Sequence, residues 1–227
     1  MSNTLQEYMK KFRDEQKIDP KTFNPCDLEI ITISRTTGCG ARKIADKLGK
    51  LLGYTVWDSE IMQQICDNMD LSKIGYDQID ENHFAISKDF AGDFFGVPGL
   101  NHFTYKKELT KILYNICLGN KAIIIGRGAN FFIKNALHVR LDADLNKRIT
   151  KIAEDLNSSR IVARDYITKT DKKRARFLYD TFGKERVNNF RYDLNIDTDN
   201  FSYDDVCEII KIAMDLHKKN LKKMYID

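Results

Sequence analysis

Residues 28–53, LEIITISRTTGCGARKIADKLGKLLG, decide the fold. The first seven are apolar and β-branched between polar stretches, the pattern of a strand buried on both faces of a parallel sheet. Ile44, Leu48, Leu51 and Leu52 then recur at helical spacing, and Gly53 ends the run as a left-handed stop. Between strand and helix lies the loop Arg35-Thr36-Thr37-Gly38-Cys39-Gly40. Two glycines admit positive φ there, so successive N–H groups can face one anion at the helix N-terminus, and a phosphate is the natural occupant. The loop fits neither G-x-x-x-x-G-K-[ST] nor G-x-G-x-x-G, because Lys43 stands where the third glycine would fall. An ordinary β–α turn is the other reading of these residues.

Outward from this unit, strands and helices alternate. Short strands are expected at Tyr54 to Trp57, Lys121 to Ile125, Leu137 to Leu141 and Leu194 to Thr198. Helices are expected over 59–69, Lys106 to Cys117, Asp144 to Leu156, Ser158 to Lys169, Asp171 to Phe182 and Tyr203 to Lys218, the last capped by Ser202 with Asp205 three residues on. Leu5, Met9 and Phe12 suggest a docking helix before a linker broken by Pro20 and Pro25. Residues 70–105 hold Phe84, Phe90, Phe94, Phe95, Phe103 and Tyr105 among glycines without a sustained period, as an insertion that covers something would. The order predicts one doubly wound α/β domain with a parallel sheet.

The 227 residues, 42% hydrophobic and 31% charged, suffice for one substantial core. No apolar run approaches the ~20 residues that cross a bilayer, and no signal segment opens the chain, so a membrane partner is not expected. Five scattered cysteines without a C-x-x-C pair point to a reducing cytoplasm. The four histidines are equally dispersed, and no H-E-x-x-H occurs, so any metal is expected to arrive with a substrate. A net charge of +4 suits anionic ligands but is too evenly mixed to mark a nucleic-acid protein. The sequence leaves a homo-oligomer open.

In an open parallel sheet ligands collect at the carboxyl ends of the strands. Three such positions look purposeful: the glycine loop, Asp58 after the second strand, and Gly126-Arg127-Gly128 after the third. Arg127 offers a planar fork suited to a phosphate, or to a carboxylate such as Asp58. Asp58 reads equally as a helix cap. The basic run TDKKRARF, with Asp171, Arg174 and Arg176 spread over one to two helical turns, is either a solvated face or a movable arginine lid.

Several of these segments together resemble cytidylate kinases. ISRTTGCGARKIA is similar in length and hydrophobic frame to the phosphate loop IDGPSGSGKGTVA of that family and keeps Gly38 and Gly40. YTVWDSEIM resembles the family's strand ending in an aspartate, AIIIGRGANFFIKNALHVRLDADLNKRI its G-R-D stretch through to the E-x-R helix, and Asp171 to Arg174 its D-x-x-R lid. The chain is identified as a cytidylate-kinase-like member of the P-loop nucleoside-monophosphate kinases, in a branch lacking the loop lysine: Ala41 holds that position, and Gly128 that of the G-R-D aspartate.

The resemblance implies a three-layer P-loop kinase fold with a five-stranded parallel sheet, a helical acceptor-binding insert at 70–118 and a helical lid at 157–182, all within a single domain of 1–227 that opens with the helix and linker of 1–27. It implies transfer of the ATP γ-phosphoryl group to CMP or a related small acceptor with Mg²⁺. The alternatives are a nucleotide-binding protein without catalysis and a kinase for a non-nucleotide metabolite. It places ATP on Thr36, Thr37, Gly38, Cys39, Gly40, Ala41, Arg42 and Lys43, and the acceptor on Asp58, Arg127, Asp171 and Arg174. Arg127, Arg174, Arg176 and Arg42 become the catalytic cations, with Arg35, Arg42 or Lys43 standing in for the lysine and Thr37, beside Thr36, as the hydroxyl for Mg²⁺.

Overall fold

The computed structural model describes residues 28–59, 61 and 102–226. The expected N-terminal helix and linker over 1–27, most of the helix over 59–69 and the insert over 70–101 lie outside them. Five strands form the sheet: β1 (Ile30–Arg35), β2 (Thr55–Trp57), β3 (Ala122–Ile125), β4 (Leu137–Asp142) and β5 (Leu194–Asp197). All pairs are parallel, in the order β2-β3-β1-β4-β5. Ile31 and Ile33 of β1 lie beside Ile123 and Ile125 of β3, and Ile33 beside Val139 of β4. These residues are at most 1% exposed, and each such side chain contributes roughly 1.5–3 kcal/mol on leaving water.

Burial on both faces follows from two helical layers. On one face α1 (Ala41–Leu52) presents Ile44 and Leu48, next to Val206, Ile210 and Met214 of α6 (Tyr203–Ile226), the last helix of the chain. On the other, α2 (His102–Gly119) presents Tyr105, Leu109, Ile112, Leu113 and Ile116. The 3.6-residue spacing of those five apolar residues gives the helix a buried stripe that packs with the sheet and with Phe177. Gly53 ends α1 with a φ of 69°, and Ser202 and Asp205 exchange reciprocal hydrogen bonds at the head of α6, as the sequence predicts.

The three remaining helices are α3 (Leu145–Asp155), α4 (Arg160–Phe182) and the short α5 (Lys184–Asn188). Two lid helices meeting near Thr170 are expected from sequence, but α4 runs unbroken for 23 residues. No glycine or proline interrupts it, the Thr168 hydroxyl bonds back to the Arg164 carbonyl, and the Asp171 carboxylate is used elsewhere instead of capping a new helix. Ile149, Ala163 and Ile167 join α3 to α4 in a small core of their own. Among the described residues no helix is long and apolar enough to cross a membrane.

Candidate active site

The parallel register brings the ends of β1, β2, β3 and β4 to one edge. Arg35 stands beside Leu141, Ile33 beside Ile125 and Trp57 beside Ile124, so the loops that follow them emerge together. Here the chain runs from β1 towards β2 on one side and from β4 to β5 on the other, the place where open α/β sheets bind ligands. A cleft of about 210 Å³ opens at this edge, lined by the glycine loop, Asp58, Lys151 and Arg174 among others.

The loop is anchored before it is used. Thr36 N–H donates to the Leu141 carbonyl, Cys39 N–H to the Thr36 carbonyl, and the Thr198 hydroxyl to the Cys39 carbonyl. Gly38 and Gly40 have φ of 87° and 91°, which a side chain tolerates poorly, and both are also crowded. A Cβ on Gly38 would press on Arg148 and Ile152 at 3.1 Å, and one on Gly40 would overlap the Tyr203 hydroxyl. Cys39 is 3% exposed, and burial pushes its thiol above the ordinary range, which disfavours the thiolate.

One carboxylate from α4 fills the loop. Asp171 Oδ1 accepts the Thr37 N–H at 3.0 Å and the Thr37 hydroxyl at 2.7 Å, while Oδ2 accepts from Arg148 at 2.8 Å. Arg148 also donates to the Thr37 carbonyl, and Arg174 to the Arg35 carbonyl and the Thr37 hydroxyl at 3.2 and 3.4 Å. The Thr37 hydroxyl is therefore fully engaged, while the Thr36 hydroxyl oxygen is buried without a hydrogen-bond partner.

A second cationic group lies alongside. Asp58, 5% exposed, is approached by Arg35 at 3.8 Å, Arg42 at 3.5 Å and Arg127 at 3.9 Å. Three guanidiniums face one carboxylate, each at ion-pair distance. Arg127 is 6% exposed and holds a left-handed φ of 56° between Gly126 and Gly128, a strain that surrounding structure must impose. Gly126 has a left-handed φ of 69° that disfavours a side chain, and a Cβ there would also displace the Arg35 guanidinium. At Gly128 a Cβ would enter the ring of Phe182, which leaves no space for the aspartate that the resemblance puts there.

Most of the residues singled out from sequence are thus gathered: Thr36, Thr37, Gly38, Gly40, Ala41, Arg42, Lys43, Asp58 and Arg174 line the cleft, with Arg127 and Asp171 adjoining it. Cys39 is buried and does not line the cleft, and neither does Arg176. The Arg176 side chain is 84% exposed and pairs with Asp180, since two residues past Arg174 is about 200° around the helix, and one side cannot serve both. Sequence reasoning missed Arg148 and Lys151. Their signal was the Asp144 cap immediately after β4, which starts α3 at the sheet edge with Arg148 and Lys151 in neighbouring turns.

A model of the cytidylate kinase-like family matches residues 30–200. The chain belongs to the cytidylate kinase-like family. Among solved structures, an uncharacterized protein from Eubacterium ventriosum is similar with a TM-score of 0.59 at 18% identity, over 82% of this chain and 97% of that one. Shikimate kinase from Bacteroides thetaiotaomicron gives 0.49 at 12% identity over 82% and 98%. Dephospho-CoA kinase from Campylobacter jejuni gives 0.40 at 16% identity over 82% and 97%. No curated protein matches. The cytidylate kinase-like chain has the P-loop kinase fold, three layers around a five-stranded parallel sheet.

Proposed function

We propose that this cytidylate kinase-like protein is a phosphotransferase that moves the γ-phosphoryl group of ATP to a nucleoside monophosphate, CMP-like, or to a related small acceptor. The observation that carries this reading is the pair of adjoining cationic groups at one sheet edge. The glycine loop with Arg148 and Arg174 suits the donor's polyphosphate, and Arg35, Arg42 and Arg127 around Asp58 suit the acceptor's phosphate. Phosphoryl transfer needs alignment of two phosphates and neutralisation of the charge that spreads over the moving group, with little covalent work for the protein. Arginines aimed from the lid and the sheet edge provide both.

The fit to Mg²⁺ rests on the Thr36 hydroxyl, a buried oxygen at the cleft without a partner, and not on Thr37, which Asp171 and Arg174 occupy. No cluster of three or more His, Cys, Asp or Glu side chains able to hold a metal occurs among the described residues. A Mg²⁺ ion bound with the nucleotide would be held by Thr36 together with phosphate oxygens and water, and would supply neutralisation of phosphate charge.

A second reading, nucleotide binding without turnover, draws on Ala41 in the loop and on the Asp171 carboxylate already seated there. A coupled ADP-release assay with ATP, Mg²⁺ and CMP, dCMP, UMP or AMP, run beside thermal melts with the same ligands, separates the two. Acceptor-dependent ADP supports transfer. Melting shifts with ATP and no ADP across the panel support binding alone.

A further inference from the structure

With Ala41 at its C-terminal end, the glycine loop has no lysine of its own. Of the basic residues that follow, Arg42 is turned to Asp46 and Asp58, and Lys43 is exposed on α1. Besides Lys43, which lines the same cleft from α1, a lysine reaches the loop from α3. The Lys151 ammonium lies 2.8 Å from where a Gly40 Cβ would stand, and it lines the same cleft as Thr36, Gly38 and Arg174. It donates to the Tyr203 hydroxyl and sits 4.8 Å from the centre of the Tyr203 ring. Arg148 and Arg174 share Asp171, and Arg42 has Asp46 and Asp58. Lys151 has no carboxylate partner among the described residues. Among the described residues, the Tyr203 hydroxyl and ring hold it over the loop.

We propose that Lys151 is the phosphate-binding lysine of this loop, supplied by α3 and held over Gly40 by Tyr203. The assignment rests on the reading that the loop takes the polyphosphate of ATP. It explains Gly40 twice over: its left-handed backbone starts α1, and its missing side chain leaves the ammonium its place. A lysine is a compact charge on a flexible stem, so it can leave the phenol for a phosphate oxygen while Tyr203 stays packed. Arg148, one turn earlier, would take the same ligand when Asp171 withdraws.

The test is calorimetric titration of the full chain and its variants with inorganic tripolyphosphate, ATP and AMP. Lys151→Met should weaken tripolyphosphate and ATP by about tenfold to a hundredfold, the range for a hydrogen bond between charged groups, and AMP by less than about twofold. Lys151→Arg should recover most of that loss, and Tyr203→Phe, which keeps the ring, tests the tether should Lys151→Met fold poorly: it should weaken tripolyphosphate and leave AMP as it was. If wild type binds ATP and Lys151→Met and Tyr203→Phe bind it equally well, the Lys151 assignment falls and the ATP reading stands. A loss on Lys43→Met in place of Lys151→Met overturns it as well. Lys151-dependent binding of tripolyphosphate without binding of ATP keeps the assignment and removes the nucleotide, whereas a wild type that binds neither removes both.

Discussion

Thr37 donates both its backbone N–H and its hydroxyl to one oxygen of Asp171, 134 residues further along the chain. The other oxygen takes Arg148, and Arg174 lies 3.6 Å from the first. Two guanidiniums, an N–H and a hydroxyl converging on a carboxylate make the environment a phosphate group would need. α4 therefore rests on the loop through its own carboxylate, and on the proposed reading a ligand phosphate would compete with it.

Asp171→Asn should accordingly move stability and binding in opposite directions. The amide oxygen can still accept from Thr37, but the charge opposite Arg148 and Arg174 is gone. Asp171 is partly exposed, so the loss of stability should be about 1–2 kcal/mol. Tripolyphosphate should bind at least about fivefold more tightly, because the competent state no longer competes with an internal anion. Melting curves and calorimetry on one preparation check both, and weaker binding would mean that Asp171 supports the ligand instead of standing in for it.

Asp58 makes the reverse case. Asp58→Asn leaves Arg35, Arg42 and Arg127 facing one another at the sheet edge, and removing one member of a buried ion cluster costs about 3 kcal/mol. An added anion should replace the lost charge. Inorganic phosphate should raise the melting temperature of Asp58→Asn more steeply than that of the wild type, by several degrees near saturation.

These two carboxylates also mark how far the sequence could be read. The β1 run and the α1 stripe announced a parallel sheet because local pattern and burial agree there, and residues that follow strand ends, such as Asp58 and Arg127, were placed by topology alone. The contact of Thr37 with Asp171 could not be read, since it depends on how α3 and α4 fold back over the loop. The unbroken α4 was hidden for the same reason: an aspartate inside a basic run looks like a helix start until its carboxylate is seen to be used elsewhere. Arg176 is different. Its 200° offset from Arg174 was in the sequence, and a helical projection would have separated the two.

Gly53 and Gly128 share a φ of 69° but differ in surroundings, so together they isolate a steric effect. Nothing lies within 4 Å of a Cβ on Gly53, whereas one on Gly128 meets the Phe182 ring, itself stacked on Phe131 at 4.5 Å. Gly53→Ala should cost about 1 kcal/mol, from backbone strain only. Gly128→Ala should cost about 2–4 kcal/mol, as the ring is displaced from its stack. Equal losses in denaturant melts would show that Phe182 yields without resistance.

His138 gives the fold a pH dependence away from the cleft. Burial holds its imidazole below the ordinary range, opposed by nearby Asp193, and its Nδ1 is 2.7 Å from the Thr32 hydroxyl. The unfolded chain takes up a proton near pH ~6.5, before the folded chain does, so stability from this residue is present above that pH and declines as pH falls towards the folded value. An NMR titration should find the His138 resonance moving below pH ~6.5, with melting temperature dropping over the same interval. A midpoint at or above ~6.5 would remove His138 from the account.

Arg174 and Arg176, two residues apart on α4, should behave as if they belonged to different proteins. Arg174 reaches the Arg35 carbonyl and the Thr37 hydroxyl, so in a phosphotransferase it faces the group being moved, and one such arginine accounts for about 10³ in rate. Arg174→Ala should lower kcat by that order while the acceptor KM changes little, because the contact matters most as charge develops. Arg176→Ala removes only an exposed i,i+4 pair with Asp180, so its effect on stability should stay within about 0.5 kcal/mol and turnover should be close to wild type. Measuring both variants in the same ADP-release assay decides the matter. A large kcat loss in Arg176→Ala would mean that α4 turns by roughly half a turn during the reaction and brings the arginine now in solvent to the cleft.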